Sequence, residues 1–154
     1  MTPFDPWRQT HMGYWLAQAS IRFDARVLAL MAANDSMPLA LANLAARGLL
    51  TAAHVHITRH LALAGSRLTE LAARAGVSKQ AMGKLVDQCE AWGLVQRQPD
   101  LRDARACLVV FTPTGLSWLQ AFKEAVTQAQ FELQEAVGAE VATVMAIGLE
   151  AYAA

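Results

Sequence analysis

Four side chains within one short stretch, Ser78, Lys79, Gln80 and Lys84, are of the types that grip a nucleic-acid duplex. Lysines supply point charges for phosphate. A serine hydroxyl at a helix start bonds a phosphate oxygen where free backbone N–H groups add anion affinity, and a glutamine amide matches the N6/N7 edge of adenine. Taken alone, these residues describe a solvated helix face equally well. A second basic group follows in Pro99-Asp100-Leu101-Arg102-Asp103-Ala104-Arg105, with Arg97 just upstream as a weaker phosphate candidate. His54, His56 and His60 offer a different chemistry. His56 and His60 stand at i and i+4 and can face one metal ion, which would make the chain metal-responsive. No carboxylate or cysteine stands nearby in sequence to complete a site, so no metal is assigned. Cys89 and Cys107 lie in apolar contexts without CxxC spacing and read as two buried thiols in a reducing compartment. There is no Gly-rich phosphate loop, no Gly-x-Ser-x-Gly elbow and no convincing metal motif. The chain is therefore read as a non-enzyme, with no catalytic residue and no cofactor.

Hydrophobic periodicity supplies the elements that must hold these residues. From about Gly13 to Ala33, Trp15, Ala19, Phe23, Val27 and Leu30 recur at helical spacing. Asn34 to Pro38 breaks that helix, Leu39–Ala46 forms a short one, and Thr51 caps another reaching Ala64. Arg67–Ala75 is a short helix with Leu68, Leu71 and Ala72 inward. After Gly76-Val77, Ser78 caps a second helix running to Trp92. Its apolar face is Ala81, Met82, Leu85, Val86, Cys89 and Trp92, and Ser78, Lys79, Gln80, Gly83, Lys84 and Asp87 lie opposite. Helix, Gly-containing turn, helix is the spacing of a helix-turn-helix. Leu94–Gln98 and the β-prone Cys107–Phe111 are strands flanking a polar hairpin tip, so the motif is winged. Thr112-Pro113 opens a long helix whose Leu119, Phe122, Val126, Ala129 and Leu133 make a coiled-coil-like seam. Beyond Gly138, Val141, Val144, Met145, Leu149 and Tyr152 continue a last apolar helix.

The stretch Leu68-Thr69-Glu70-Leu71-Ala72-Ala73-Arg74-Ala75-Gly76-Val77-Ser78-Lys79-Gln80-Ala81-Met82 resembles the helix-turn-helix of MarR-family regulators. Leu85-Val86-Asp87 and Gly93-Leu94-Val95 continue that pattern. Asp103-Ala104-Arg105-Ala106 is similar to the family's Asp-x-Arg-Ala wing signature, and Thr112-Pro113-Thr114-Gly115 to its Leu-Thr-x-x-Gly. The likeness is strong over residues 48–118 and architectural elsewhere. Gly83 stands where many members carry Thr or Ser, Cys89 where Leu is common, and Phe111 again for Leu. The resemblance implies that Ser78, Lys79, Gln80 and Lys84 contact the major groove and that Arg105 enters the minor groove from the wing tip. Asp103 would steady its guanidinium, and Arg102 would be a further phosphate contact. The alternative for Arg105 is a surface ion pair of little energetic value.

The implied fold is mainly α with a short β-hairpin wing, one domain spanning residues 1–154. Residues 48–112 form the DNA-binding lobe, with dimerisation helices in 1–47 and 113–154. Only 17% of the 154 residues are charged while 55% are hydrophobic, so a lone subunit would leave much apolar surface wet, and a second copy is the natural cover. Net charge is zero overall, yet residues 1–65 and 66–112 each carry a basic excess and residues 113–154 hold one lysine against five glutamates. Phosphate contact depends on the local field, not the sum. The functional expectation is a homodimeric repressor on a pseudo-palindromic operator of double-stranded DNA, its recognition helices roughly 34–36 Å apart. By resemblance, a small, often phenolic, effector releases it, with Trp15, His56 and His60 as candidate effector residues and simple core as the alternative for Trp15. A winged helix can also serve as a protein-interaction module without touching DNA. That version predicts no basic recognition helix and no wing arginine. No apolar stretch long enough for a membrane span and no signal peptide is read, so a cytoplasmic location is expected.

Overall fold

A computed structural model of the chain describes residues 5–154; the first four residues of the expected 1–47 dimerisation segment lie outside them. Its elements run α1 (Met12–Ala32), α2 (Leu39–Ala46), α3 (Ala52–His60), β1 (Ser66–Arg67), α4 (Leu68–Ala75), α5 (Lys79–Ala91), β2 (Val95–Asp100), β3 (Asp103–Phe111), α6 (Pro113–Val137) and α7 (Ala139–Ala153). The chain divides into two compact units, Leu28–Phe122 and a second made of the residues up to Val27 together with Lys123–Ala154.

In the first unit the winged motif forms for local reasons. Gly76 ends α4 in the left-handed region at φ 68°, a conformation that costs glycine little. Two residues later the Ser78 hydroxyl oxygen accepts the Ala81 N–H at 3.0 Å and starts α5. α5 packs against α3, α4 and β2, burying Met82, Val86 and Cys89 completely. Leu71 and Ala72 of α4 and Val55 and Ile57 of α3 complete that core. Ala81, expected on the inner face, is exposed, and Leu85 and Trp92 are half-buried.

The sheet has the order β1-β3-β2 and is antiparallel throughout. Ser66 and Arg67, the latter expected as the first residue of a helix, are instead a short strand that pairs with Val109 and Leu108. To reach β3 the chain leaves the α3 helix at His60, four residues before the expected Ala64, and Gly65 turns it at φ 94°. The hairpin is longer than expected: Asp100 pairs with Asp103, leaving a two-residue tip of Leu101 and Arg102. Pro99, which lacks an N–H for the ladder, sits on the edge strand β2 next to a register shift at Pro99/Asp100.

α6 is joined to the wing by one close approach. Thr112 accepts the Gly115 N–H at 3.0 Å through Oγ1, while its hydroxyl donates to the Gly93 carbonyl. A Cβ on Gly115 would lie 1.9 Å from the Leu94 carbonyl oxygen, so only glycine lets the helix come so near.

In the second unit the apolar pattern is not closed within one chain. Its buried apolar residues, among those described, are Val27, Ala125, Ala129 and Ala142. Met12, Ile21, Val144, Ile147 and Tyr152 are all more than half exposed. A forked ion pair crosses it, with Arg26 Nε and Nη2 each 2.7 Å from a carboxylate oxygen of Glu132. The seam expected on α6 falls differently. Of its members only Ala129 is buried, with Trp118, Ala121 and Ala125 beside it, while Leu119, Phe122, Val126 and Leu133 are half-buried. No single described helix is long and apolar enough to cross a membrane.

Candidate nucleic-acid interface

α5 presents Ser78, Lys79, Gln80 and Lys84 as exposed side chains at its N-terminal half. Ser78 uses an oxygen lone pair as the helix cap, which leaves its O–H proton free to donate to an anion. The first N–H groups of α5 add to that donor set. Gly83 lies on the same helix, and a Cβ there would meet only Leu68 Cδ2 at 3.8 Å, an ordinary contact.

Seven basic residues fall between Ser66 and Thr112, and the structure sorts them by partner. Arg97 is committed inside the protein: its Nη2 donates to Asp87 Oδ1 at 2.7 Å, its Nη1 to Glu90 Oε1 at 3.0 Å and its backbone N–H to Glu90 Oε2 at 2.8 Å. That ties β2 to α5 and removes Arg97 from the phosphate candidates. Arg67 is committed likewise, its Nε and Nη2 both donating to Asp100 Oδ2, at 3.1 and 2.9 Å. Arg74 reaches the His60 carbonyl and Ser66 Oγ, each at 3.4 Å. Lys79, Lys84, Arg102 and Arg105 are exposed and, among the described residues, in no ion pair. Three acidic side chains of the segment are thus answered within the fold, while four cations are left to face solvent.

On the wing, Asp103 does not hold the Arg105 guanidinium as expected. Its Oδ1 accepts the Arg105 backbone N–H at 3.0 Å, because an aspartate at a strand start reaches its own chain two residues on more readily than a long mobile side chain. Arg105 stands on β3, and the apex is Leu101, fully exposed, and Arg102. Asp100, 6% exposed, accepts the Arg102 backbone N–H at 2.9 Å through Oδ1. That bond first, and the Arg67 guanidinium second, hold the Asp100 carboxyl below the usual carboxylate range. Sequence reasoning missed the Arg67–Asp100 pair. It spans 33 positions, and no local pattern joins its ends.

The other candidates fall elsewhere. His54 is a buried structural residue: Nδ1 accepts the Thr51 N–H at 3.0 Å, Nε2 lies 2.7 Å from Gln88 Oε1, and the ring packs on Trp92 with centroids 4.8 Å apart. His56 and His60 do come together, stacked with centroids 6.1 Å apart. Burial first, then the charges of His56, Arg59 and Arg74, push His60 below the usual imidazole range. Among the described residues no group of three His, Cys, Asp or Glu side chains converges on a common point. Trp15 belongs to the other unit and is 58% exposed, so within one chain it is not core. Cys89 is buried, with burial raising its thiol to about 12. Cys107 is exposed, contrary to the expectation of two buried thiols, because it lies on the outer half of β3 opposite Pro99.

A family model described as the MarR family matches residues 50–106, the segment from α3 through the wing. No curated protein is similar enough in sequence to match. Among solved structures, the transcriptional repressor CouR bound to a 23-mer DNA duplex superposes with a TM-score of 0.71 at 22% identity, covering 97% of this chain and 96% of that one. Wild-type MarR of E. coli, in its apo form, gives a TM-score of 0.66 at 23% identity over 92% and 96% of the two chains. A structure of BpsR from Bordetella bronchiseptica, described as the mechanism for regulation of its DNA binding by 6-hydroxynicotinic acid, gives 0.67 at 17% identity over 92% and 98%.

Proposed function

We propose that the protein is a homodimeric transcriptional repressor of the MarR type that binds a pseudo-palindromic operator and is released by a small, often phenolic, effector, a reading supported by the match of residues 50–106 to the MarR family model. The observation that carries the reading is the sorting of charge. The basic side chains without an ion pair are those on the exposed start of α5 and on the wing, Lys79, Lys84, Arg102 and Arg105. Ser78 and Gln80 add a donor and an adenine-matching amide to the same helix end. Arg105 is the proposed minor-groove contact, with Asp103 fixing its backbone and not its guanidinium.

Homodimerisation, through helices of residues 1–47 and 113–154, is supported by the apolar side chains left exposed on α1 and α7. A two-fold axis would set two recognition helices one helical turn of duplex apart. Effector release is supported by what is described for BpsR and would act by favouring a dimer whose two helices no longer match that spacing. Trp15, His56 and His60 are the proposed effector residues. The location that fits such a protein is the cytoplasm.

The test is a mobility shift with the DNA immediately upstream of the protein's own gene, repeated across salt concentration and with aromatic acids. A salt-sensitive complex that an aromatic acid dissolves supports the proposal. A purified protein that is monomeric, or attaches to no duplex at low salt, overturns it.

A further inference from the structure

One carboxylate, that of Asp100, links the tip of the wing to the residue that starts the helix-turn-helix. Asp100 is the last residue of β2, and its two oxygens do different work. Oδ1 accepts the Arg102 N–H and fixes the two-residue tip; Oδ2 accepts two N–H groups from Arg67, the residue that immediately precedes α4. Arg67 is in turn anchored by its pairing with Leu108 and by its backbone N–H on Glu70 Oε2 at 3.3 Å. The strand ladder is irregular at this very point, with a register shift at Pro99/Asp100 and a proline that offers no N–H. Backbone pairing therefore leaves the tip loosely tethered, and the side chains of Asp100 and Arg67 take over. The Asp100 side chain is 7% exposed and that of Arg67 39%, so the pair is shielded on one side. The second tether of β2, Arg97 to Asp87 and Glu90, engages carboxylates that are 68% and 40% exposed and is the more easily screened.

We propose that Arg67 and Asp100 are positioning residues that set the wing relative to α5, so that Arg102 and Arg105 engage the duplex only while the pair is intact. Neither residue touches DNA in this proposal. It rests on the reading of the chain as a DNA-binding protein and adds to it a coupling between wing and helix.

The sign of one substitution separates positioning from plain electrostatics. Asp100→Asn removes a negative charge next to the wing, which by charge alone should tighten attachment to a polyanion. It also turns an N–H of the new amide toward a guanidinium, or toward the Arg102 N–H, so one arm of the junction is lost. Positioning predicts weaker binding, about tenfold. Arg67→Lys keeps the charge but not the fork and should fall with it; this milder variant also decides the matter if Asp100→Asn fails to fold.

Binding is measured on a duplex recovered from a randomised pool by the wild-type protein. Arg105→Ala and Lys84→Ala are combined with each variant. With the wing already displaced, Arg105→Ala should cost much less than it does alone, whereas Lys84→Ala should cost the same in both backgrounds. Amide hydrogen exchange without DNA should show Arg102–Ala106 losing protection in Asp100→Asn while α5 keeps it. Unchanged or tighter binding, equal costs for Arg105→Ala in both backgrounds, or unaltered exchange would each overturn the proposal. A wild-type protein that selects no duplex would sink the DNA-binding reading instead, and exchange would still score the junction.

Discussion

Arg97 and Lys84 carry the same formal charge, but only Arg97 is engaged within the fold. Arg97 neutralises Asp87 and Glu90 within the fold, whereas Lys84 is exposed on α5 with no ion pair among the described residues. Each phosphate contact releases counterions and adds about one unit to the dependence of log K on log salt. Lys84→Ala should therefore lower that slope by about one. Arg97→Ala should weaken binding by unmasking two carboxylates while leaving the slope as it was. A salt titration of both variants checks the assignment, and a slope lost with Arg97 would return it to the phosphate contacts. The cysteines make a second residue-scale test. Burial raises the Cys89 thiol to about 12, and only Cys107 is exposed. Native protein should take up one equivalent of a thiol reagent, none after Cys107→Ser, and both sites should react only on unfolding. The run Cys107-Leu108-Val109-Val110-Phe111 reads as uniformly apolar, so a pattern of residue types alone could not tell that its first member points away from the core.

At the scale of elements, the helices of the winged motif are legible because their signals are local: a 3.6-residue apolar period, a glycine for the left-handed stop, and a serine cap. β1 is not, since its two residues are strand only by pairing with β3, and the early end of α3 follows from that same distant demand. Two glycines test how tightly these elements fit. Gly83 has room for a methyl group, its nearest neighbour being Leu68 Cδ2 at 3.8 Å, and Gly83→Ala should stabilise the fold by about 0.5–1 kcal/mol through helix propensity. Gly115→Ala drives a methyl into the Leu94 carbonyl and should cost about 3 kcal/mol, pushing α6 off the wing. Thermal melts of the two variants should move in opposite directions. Acid probes the wing itself. The folded Asp100 carboxyl lies below its ordinary range, held there by the Arg102 N–H and then by Arg67. Its contribution is complete above the unfolded value of about 3.9 and is lost as pH falls from there through the folded one. The Arg102 amide resonance should thus be constant from neutral pH down to about 5 and titrate only below about 4, and Asp100→Asn should abolish that titration.

The whole molecule turns on what covers the unit formed by the residues up to Val27 and from Lys123 onward. Its composition announces apolar helices, yet the stripe buried on α6 could not be chosen from spacing. Alanine-rich sequence offers two neighbouring stripes, Trp118-Ala121-Ala125 and Leu119-Phe122-Val126, that meet at Ala129, and one chain buries the first with Ala129 while the second stays half-buried. The half-buried side chains keep apolar surface that the proposed second copy would cover. On α7, Val144 and Ile147 are 69% and 63% exposed and stand three positions apart, on one face of the helix. Burying each against a partner would contribute about 1.5–3 kcal/mol, so Val144→Glu with Ile147→Glu removes that gain and places charge in the interface. Sedimentation should show the wild type at twice the chain mass and the double variant at the chain mass. On the proposed operator of two half-sites a lone subunit would hold only one, so attachment to duplex should fall by orders of magnitude while Lys84 and Arg105 remain in place. A double variant that keeps the wild-type mass and affinity would mean that α7 faces water in the assembled protein, and the dimer would then have to be built from α1 and α6 alone.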